Sequence, residues 1–156
     1  MVELATFAAG CFWGVEDLFR AQSGVTDTEV GYVGGTNDHP TYEFHPGHAE
    51  AIRVTFDEAK TSYDALFDYF FRIHDPTTLN RQGNDIGASY RSAIFFANED
   101  EKVFAQKAIE RNQPFWQNPI TTTLEPLSTF WSAEDYHQDY LQKHPGGYTC
   151  HYERAR

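Results

Sequence analysis

The stretch Val2-Glu3-Leu4-Ala5-Thr6-Phe7-Ala8-Ala9-Gly10-Cys11-Phe12-Trp13-Gly14-Val15-Glu16-Asp17-Leu18-Phe19 decides how the rest of the chain is read. Val2 to Ala9 is mostly apolar and reads as a strand, while Phe12, Val15 and Phe19 recur at helical spacing with Leu18 beside them. Cys11 therefore falls at a strand-to-helix junction, bracketed by Gly10 and Gly14 and followed by two large aromatic rings. Unpaired backbone N–H groups and the positive end of the helix dipole favour an anion there. A thiol so placed can have its pKa drawn below the free value of about 8.5. The expectation is a Cys11 that is nucleophilic at neutral pH, with glycines that turn the backbone tightly and leave the sulfur uncovered. The plainer alternative makes Cys11 a small buried hydrophobe and Phe12 and Trp13 core residues. The glycine brackets and the helix start favour the nucleophile.

Working outward, Ser23-Gly24 closes the first helix and Val25 to Val33 alternates as a strand ending at Gly34-Gly35. Residues 36–47 are polar and rich in proline and glycine, a loop that carries Tyr42 and leads through Gly47-His48-Ala49-Glu50 into a strand over Ala51 to Phe56. Glu50 thus lies at the entry to a strand. Thr61-Ser62-Tyr63-Asp64 has the form of a helix start, and Tyr63, Leu66, Phe67 and Phe70 continue it toward His74. Asp75 to Tyr90 shows neither helical nor strand period, which marks a long functional loop. A strand over Ser92 to Ala97, a helix from Asn98 to about Asn112, an extended stretch from Thr121 to Trp131 and a helix from Ser132 to about Lys143 complete the pattern. The order β-α-β-β-α-β-α-β-α does not repeat βαβ units. It predicts an α+β fold, a two-layer mixed sheet with helices packed on it, long functional loops and an irregular tail over 144–156 carrying Cys150.

At 156 residues the chain fits a single domain, 1–156, and 25 aromatic residues (13 Phe, 9 Tyr, 3 Trp) suffice for a core and a pocket. The formal net charge of −11 argues against nucleic acid as a partner, since phosphate binding needs a basic surface. No apolar run approaches the ~20 residues of a membrane span, and the first residues lack the pattern of a secretory signal. The expected location is the cytoplasm, with no membrane association. Two cysteines are too few for a disulfide scaffold; in a reducing compartment a pair that bonds is more often catalytic or redox-sensing. Met1 is the only methionine, in keeping with life among oxidants.

Several groups could work with Cys11. Cys150, at the other end of the chain, could attack an oxidised Cys11 if the tail folds back, or could be an unrelated surface cysteine. Glu43, Glu50, Asp75 and Asp85 lie in loops or beside strands, and a carboxyl group held in an aromatic pocket keeps its proton at neutral pH and can deliver it as a general acid. Tyr42 and Tyr90 could donate hydrogen bonds to a substrate oxygen. His39, His45 and His48 lie close in sequence to Glu43 and Glu50, but their spacing fits no standard zinc pattern. Two rival functions stay open on these residues: a Cys–His hydrolase or acyltransferase with His48 as base, and a binding module with an aromatic pocket.

In order along the chain, Gly10-Cys11-Phe12-Trp13-Gly14, Gly31-Tyr32-Val33-Gly34-Gly35, Pro40-Thr41-Tyr42-Glu43, Gly47-His48-Ala49-Glu50, His74-Asp75-Pro76-Thr77, Arg81-Gln82-Gly83-Asn84-Asp85-Ile86-Gly87, Tyr90-Arg91-Ser92 and Glu134-Asp135-Tyr136-His137-Gln138 resemble the peptide methionine sulfoxide reductase A family across nearly the whole chain. The resemblance implies reduction of the S epimer of methionine sulfoxide, free or in oxidised proteins, to methionine. It makes Cys11 the nucleophile on the sulfoxide sulfur, Phe12 and Trp13 the pocket for the methyl group, and Glu50 the proton donor to the sulfoxide oxygen. Tyr42, Asp85 and Tyr90 match the polar residues that hold that oxygen or its water. Cys150, in Gly147-Tyr148-Thr149-Cys150-His151, matches the recycling cysteine, whose disulfide with Cys11 thioredoxin or another dithiol would reduce. No bound cofactor and no metal are implied, and a monomer is expected. The sequence departs from many relatives in a short Glu43-to-Gly47 segment that lacks a further cysteine, and it has no third thiol for a relay.

Overall fold

The computed structural model describes residues 2–155; Met1 and Arg156, the ends of the expected domain, lie outside the described residues. The chain opens with β1 (Val2–Ala9), α1 (Phe12–Arg20), β2 (Val25–Val33), β3 (Ala49–Asp57) and α2 (Tyr63–Ile73). A two-residue-strand hairpin follows, β4 (Arg81–Gln82) and β5 (Asp85–Ile86), inside the stretch that shows no period in the sequence. Then come β6 (Ser92–Phe96), α3 (Glu99–Asn112), β7 (Thr123–Pro126), β8 (Trp131–Ser132) and α4 (Tyr140–Lys143). Six strands form one sheet in the order β7-β6-β1-β3-β2-β8. Every pairing is antiparallel except β6 with β7, so the fold is α+β with a mixed sheet, as expected.

Alternation along the strands decides which side chains meet the helices. Ala5, Phe7 and Ala9 of β1, Ile52, Val54 and Phe56 of β3 and Ile94 of β6 pack with Val15 and Phe19 of α1, Leu66, Phe67 and Phe70 of α2 and Ala105 and Ala108 of α3. Phe7 lies at the centre, 4.6 Å from the ring of Phe19 and 5.3 Å from that of Phe70. The other face carries small residues, Ala8, Ala49, Ala51 and Ala93 with Val33 and Phe95, against Leu127 and Phe130. Helix starts follow local chemistry: the Ser62 hydroxyl accepts the Ala65 N–H, and Asn98 Oδ1 accepts that of Glu101. The same alternation places Glu50, two residues before Ile52, on the apolar helix-facing side, directly across from Tyr32 of β2.

The helix expected over 132–143 is confined to Tyr140–Lys143. Asp139 takes a left-handed conformation (φ 53°), and its N–H donates to the buried carboxylate of Glu16 at 2.7 Å instead of continuing a helix. The Gln138 amide accepts the Val30 N–H and donates to the Val30 carbonyl, each at 2.9 Å, in the manner of an added strand. Tertiary partners thus override the local helical pattern. Among the described residues no helix is long and apolar enough to cross a membrane.

Candidate active site

Cys11 sits at the N-cap of α1, as the strand-to-helix reading requires, yet it is only 6% exposed. Burial pushes its thiol up, the carboxyl group of Glu50 adds to this, and a bond from the Trp13 N–H opposes it without prevailing. The expectation of a depressed pKa is therefore corrected. The helix terminus does act on the sulfur, but one backbone N–H does not offset removal from water. The glycines also serve another purpose than uncovering the sulfur. Gly10 (φ 94°) needs a conformation that favours glycine, and a Cβ there would lie 2.8 Å from the Gln82 side chain. At Gly14 a Cβ would lie 2.6 Å from Nδ1 of His151. Both make room for elements that pack over the nucleophile.

Glu50 is 1% exposed at the centre of the sheet. Its Oε1 accepts the Phe12 N–H at 3.1 Å, while the buried Oε2 has no hydrogen-bond partner. Burial pushes the carboxyl pKa up to about 8, against the pull of the Phe12 N–H and with a smaller push from Asp85. At neutral pH Glu50 carries its proton. Oε1 is occupied as an acceptor, so Oε2 is the oxygen that can hold and deliver it.

Tyr42, Asp85 and Tyr90 converge on the same pair. Burial raises the Tyr42 phenol to about 12, the charges of Glu50 and Cys11 add to it, and a hydrogen bond from Tyr90 opposes. Tyr90 is pushed up by burial and by Glu50, Tyr42, Asp85 and Cys11. Both phenols thus remain donors. Asp85, on β5, is raised by burial and accepts a hydrogen bond from the Tyr148 hydroxyl at 3.3 Å.

Phe12 and Trp13 turn toward an aromatic cluster. Trp13 stacks on Tyr140 with centroids 3.9 Å apart and lies 6.3 Å from Tyr42; Phe12 lies 5.8 Å from Tyr32 and 5.2 Å from His137. The Trp13 indole N–H donates to His137 Nδ1 at 2.9 Å. Glu134 ties the cluster together, accepting the Tyr32 hydroxyl at 2.8 Å and the Tyr42 N–H at 3.0 Å. Burial pushes this carboxyl group up, but those donors outweigh it and hold the pKa below its ordinary value. The site residues legible in the sequence do not include Glu134, His137 or Gln138, nor Tyr140 just beyond them. Their segment is a recognisable motif, but its roles depend on contacts more than a hundred residues away.

The C-terminal stretch packs over the opposite side. Cys11 and Cys150 are both free thiols, and Cys150 is among the groups that raise Cys11. Cys150 lies over the β4–β5 turn, its Sγ 3.9 Å from the Gln82 carbonyl. Gln82 is itself clamped, accepting the Asp75 N–H at 2.9 Å and donating to the Asp75 carbonyl at 2.8 Å. His151 is 7% exposed, and its Nε2 bonds the Ala9 carbonyl at 2.5 Å. Burial lowers its pKa to about 4, against the effect of the Ala9 carbonyl.

The histidines expected as rivals are engaged elsewhere. His48 Nδ1 accepts the Gly35 N–H at 3.0 Å and Nε2 donates to the Asn37 carbonyl at 2.9 Å, so neither nitrogen is free to serve Cys11 as a base. His45 bonds the Thr41 carbonyl and the Ser89 hydroxyl, both at 2.8 Å, and His39 packs on Trp131. Among the described residues no group of three His, Cys, Asp or Glu side chains is arranged to hold a metal.

A buried thiol beside a protonated carboxyl group and a cluster of aromatic rings is the arrangement of a thiol-dependent enzyme. The family model described as peptide methionine sulfoxide reductase matches residues 3–156, and the chain belongs to that family. It is 55% identical over 152 residues to peptide methionine sulfoxide reductase MsrA of Nocardia farcinica, covering 96% of this chain and 89% of the relative. Reduced Mxr1 from Saccharomyces cerevisiae superposes with a TM-score of 0.94 at 39% identity, covering 99% of this chain and 93% of that one. Mxr1 in complex with Trx2 superposes with a TM-score of 0.69 at 30% identity, over 99% and 91% of the two chains. The activity is that of an MsrA-type methionine sulfoxide reductase, a thiol-dependent oxidoreductase.

Proposed function

We propose that the chain reduces the S epimer of methionine sulfoxide, free and in oxidised proteins, with Cys11 as nucleophile and Glu50 as general acid. The observation that carries this reading is the unpartnered, buried Oε2 of a carboxyl group that keeps its proton to about pH 8. A sulfoxide oxygen leaves sulfur only when protonated. Glu50 gives it a proton as the Cys11 sulfur attacks the sulfoxide sulfur, and the proton of the thiol restores the acid. Methionine departs and Cys11 becomes a sulfenic acid: the substrate sulfur is reduced, the cysteine sulfur oxidised. Both groups stay neutral until substrate arrives, so the buried site carries no unpaired charge at rest.

Phe12 and Trp13 receive the methyl group, an apolar wall that excludes water from the reacting sulfur. Tyr42, Tyr90 and Asp85 hold the oxygen or the water it becomes. The Cys150 thiol then attacks the sulfenic acid to give a Cys11–Cys150 disulfide and water. A thioredoxin, or another dithiol, reduces that disulfide; the complex of the yeast relative with Trx2 supports this partner. The same reading makes the enzyme a monomer in the cytoplasm, with the irregular stretch around Cys150 flexible enough for its sulfur to bond that of Cys11.

The test is to replace Cys11, Glu50 and Cys150 singly. Cys11→Ser should form no methionine, Glu50→Gln should form it slowly, and Cys150→Ser should form it once per enzyme. Full multiple turnover by Cys11→Ser would refute the assignment.

A further inference from the structure

We propose that His151 is a positioning residue of the resolving step: its buried imidazole latches the C-terminal stretch onto the nucleophile's loop, so that the Cys150 thiol waits beside Cys11. The inference rests on the reading of Cys150 as the recycling cysteine and adds to it the device that holds this cysteine in place.

The latch is a hydrogen bond from His151 Nε2–H to the carbonyl of Ala9, two residues before the nucleophile, at 2.5 Å. His151 is 7% exposed although the stretch around it contains neither helix nor strand. Room for the ring is made by the two glycines that bracket Cys11. A Cβ at Gly14 would lie 2.6 Å from Nδ1, and one at Gly10 would lie 3.3 Å from Nε2. The glycine bracket is, in these terms, a notch for an imidazole. Because Nε2 is the donor, Nδ1 is left with its lone pair. The Cys150 sulfur lies 3.9 Å from it.

Residue 150 is therefore tied to its neighbour's anchor and cannot drift far from the Gln82-Gly83 turn, where a Cβ at Gly83 would lie 3.6 Å from the Cys150 sulfur. A second tie, the Arg154 N–H to the Arg72 carbonyl at 3.0 Å, fixes the chain to the end of α2, away from the nucleophile. In the resolving step the Cys150 sulfur bonds the Cys11 sulfur as the S–O bond of the sulfenic acid breaks. The hydroxyl group leaves with the proton of the thiol as water; Cys150 is oxidised and Cys11 reduced by the same amount. Holding the two sulfurs together raises their effective concentration. The latch makes no contact that sulfoxide reduction itself needs.

The experiment is a rapid-quench single turnover with reduced enzyme, the S epimer of free methionine sulfoxide and no added reductant, following methionine formed and thiols lost. Two polar variants separate the latch from general damage. In His151→Gln the amide N–H reaches the position of Nε2, whereas in His151→Asn it falls short. With the Asn variant, methionine should form at the wild-type rate while loss of the second thiol slows by about tenfold or more, the effect of one buried hydrogen bond. The Gln variant should recover to within about threefold of wild type.

Equal slowing of methionine formation in the Asn variant would make His151 a general prop of the fold and overturn the proposal. Unchanged thiol loss in the Asn variant, or no recovery in the Gln variant, would overturn it as well. Wild-type enzyme that forms methionine yet retains Cys150 as a free thiol would sink the recycling reading itself, an outcome visible before any variant is made.

Discussion

Glu50 and Phe12 are joined by a single hydrogen bond, from the backbone N–H beside the nucleophile to Oε1 at 3.1 Å, and that bond determines which carboxyl oxygen faces the reaction. Oε2 is left buried without a partner. Glu50→Gln preserves shape and can keep the bond to Phe12, but its amide is no acid. Methionine formation in a single turnover should fall by about 10²- to 10⁴-fold, the usual worth of a positioned general acid, with both thiols still titratable. A rate within threefold of wild type, about the limit of an ordinary neutral change, would remove Glu50 from the chemistry.

The raised pKa of Glu50 gives the reaction a pH signature. The acid form is present below about 8 and lost above it, so the rate of the sulfoxide step should decline through that region in wild type and lose this limb in Glu50→Gln. The same shift has a sign for stability. The folded-state pKa lies above the unfolded one, so the contribution of Glu50 is fully present below the ordinary carboxylate range and is lost as pH rises through about 8. Denaturant unfolding across pH 4 to 9, compared with Glu50→Gln, reads it directly.

Glu134 should matter for substrate affinity without touching the reacting atoms. Its two oxygens accept the Tyr32 hydroxyl and the Tyr42 N–H, and Glu134→Gln leaves one of those donors facing an NH2 group. The expected result is a rise in KM of about tenfold and a stability loss of about 1 kcal/mol, with the methionine burst still complete at saturating substrate. Steady-state kinetics and a denaturation midpoint check both.

Cys150→Ser should form one methionine per enzyme and then stop in the presence of thioredoxin, leaving a sulfenic acid on Cys11 that a dimedone-type probe traps. Sustained turnover with thioredoxin would show that the sulfenic acid is reduced directly.

Much of this site is legible in the sequence where local pattern and chemistry coincide. The apolar run before Gly10 and the spacing of Phe12, Val15 and Phe19 mark the junction that carries Cys11, and alternation through Ile52, Val54 and Phe56 reveals that Glu50 enters a buried strand. What the pattern does not carry is the balance of long-range terms. The pKa of Cys11 rises because burial in the folded chain removes it from water, which no helix signal discloses. The helix expected from Ser132 begins only at Tyr140, because the Gln138 amide is held by Val30 and Glu16, far away in sequence, captures the Asp139 N–H. The stretch from Asp75 to Tyr90 lacks a period, yet Gln82 folds it by bonding both backbone groups of Asp75. His151, one residue past Cys150, reads as an ordinary histidine until Gly10 and Gly14 are seen to make its pocket.

The central claim, that a Cys11 thiol and a protonated Glu50 reduce one epimer of methionine sulfoxide, is tested most directly by a single-turnover assay on the reduced enzyme with each epimer separately and no added reductant. Methionine and free thiols are counted together. The account predicts about one methionine per enzyme from the S epimer, none from the R epimer, and loss of both thiols. Methionine from the R epimer at a similar rate, or none from either, would contradict it.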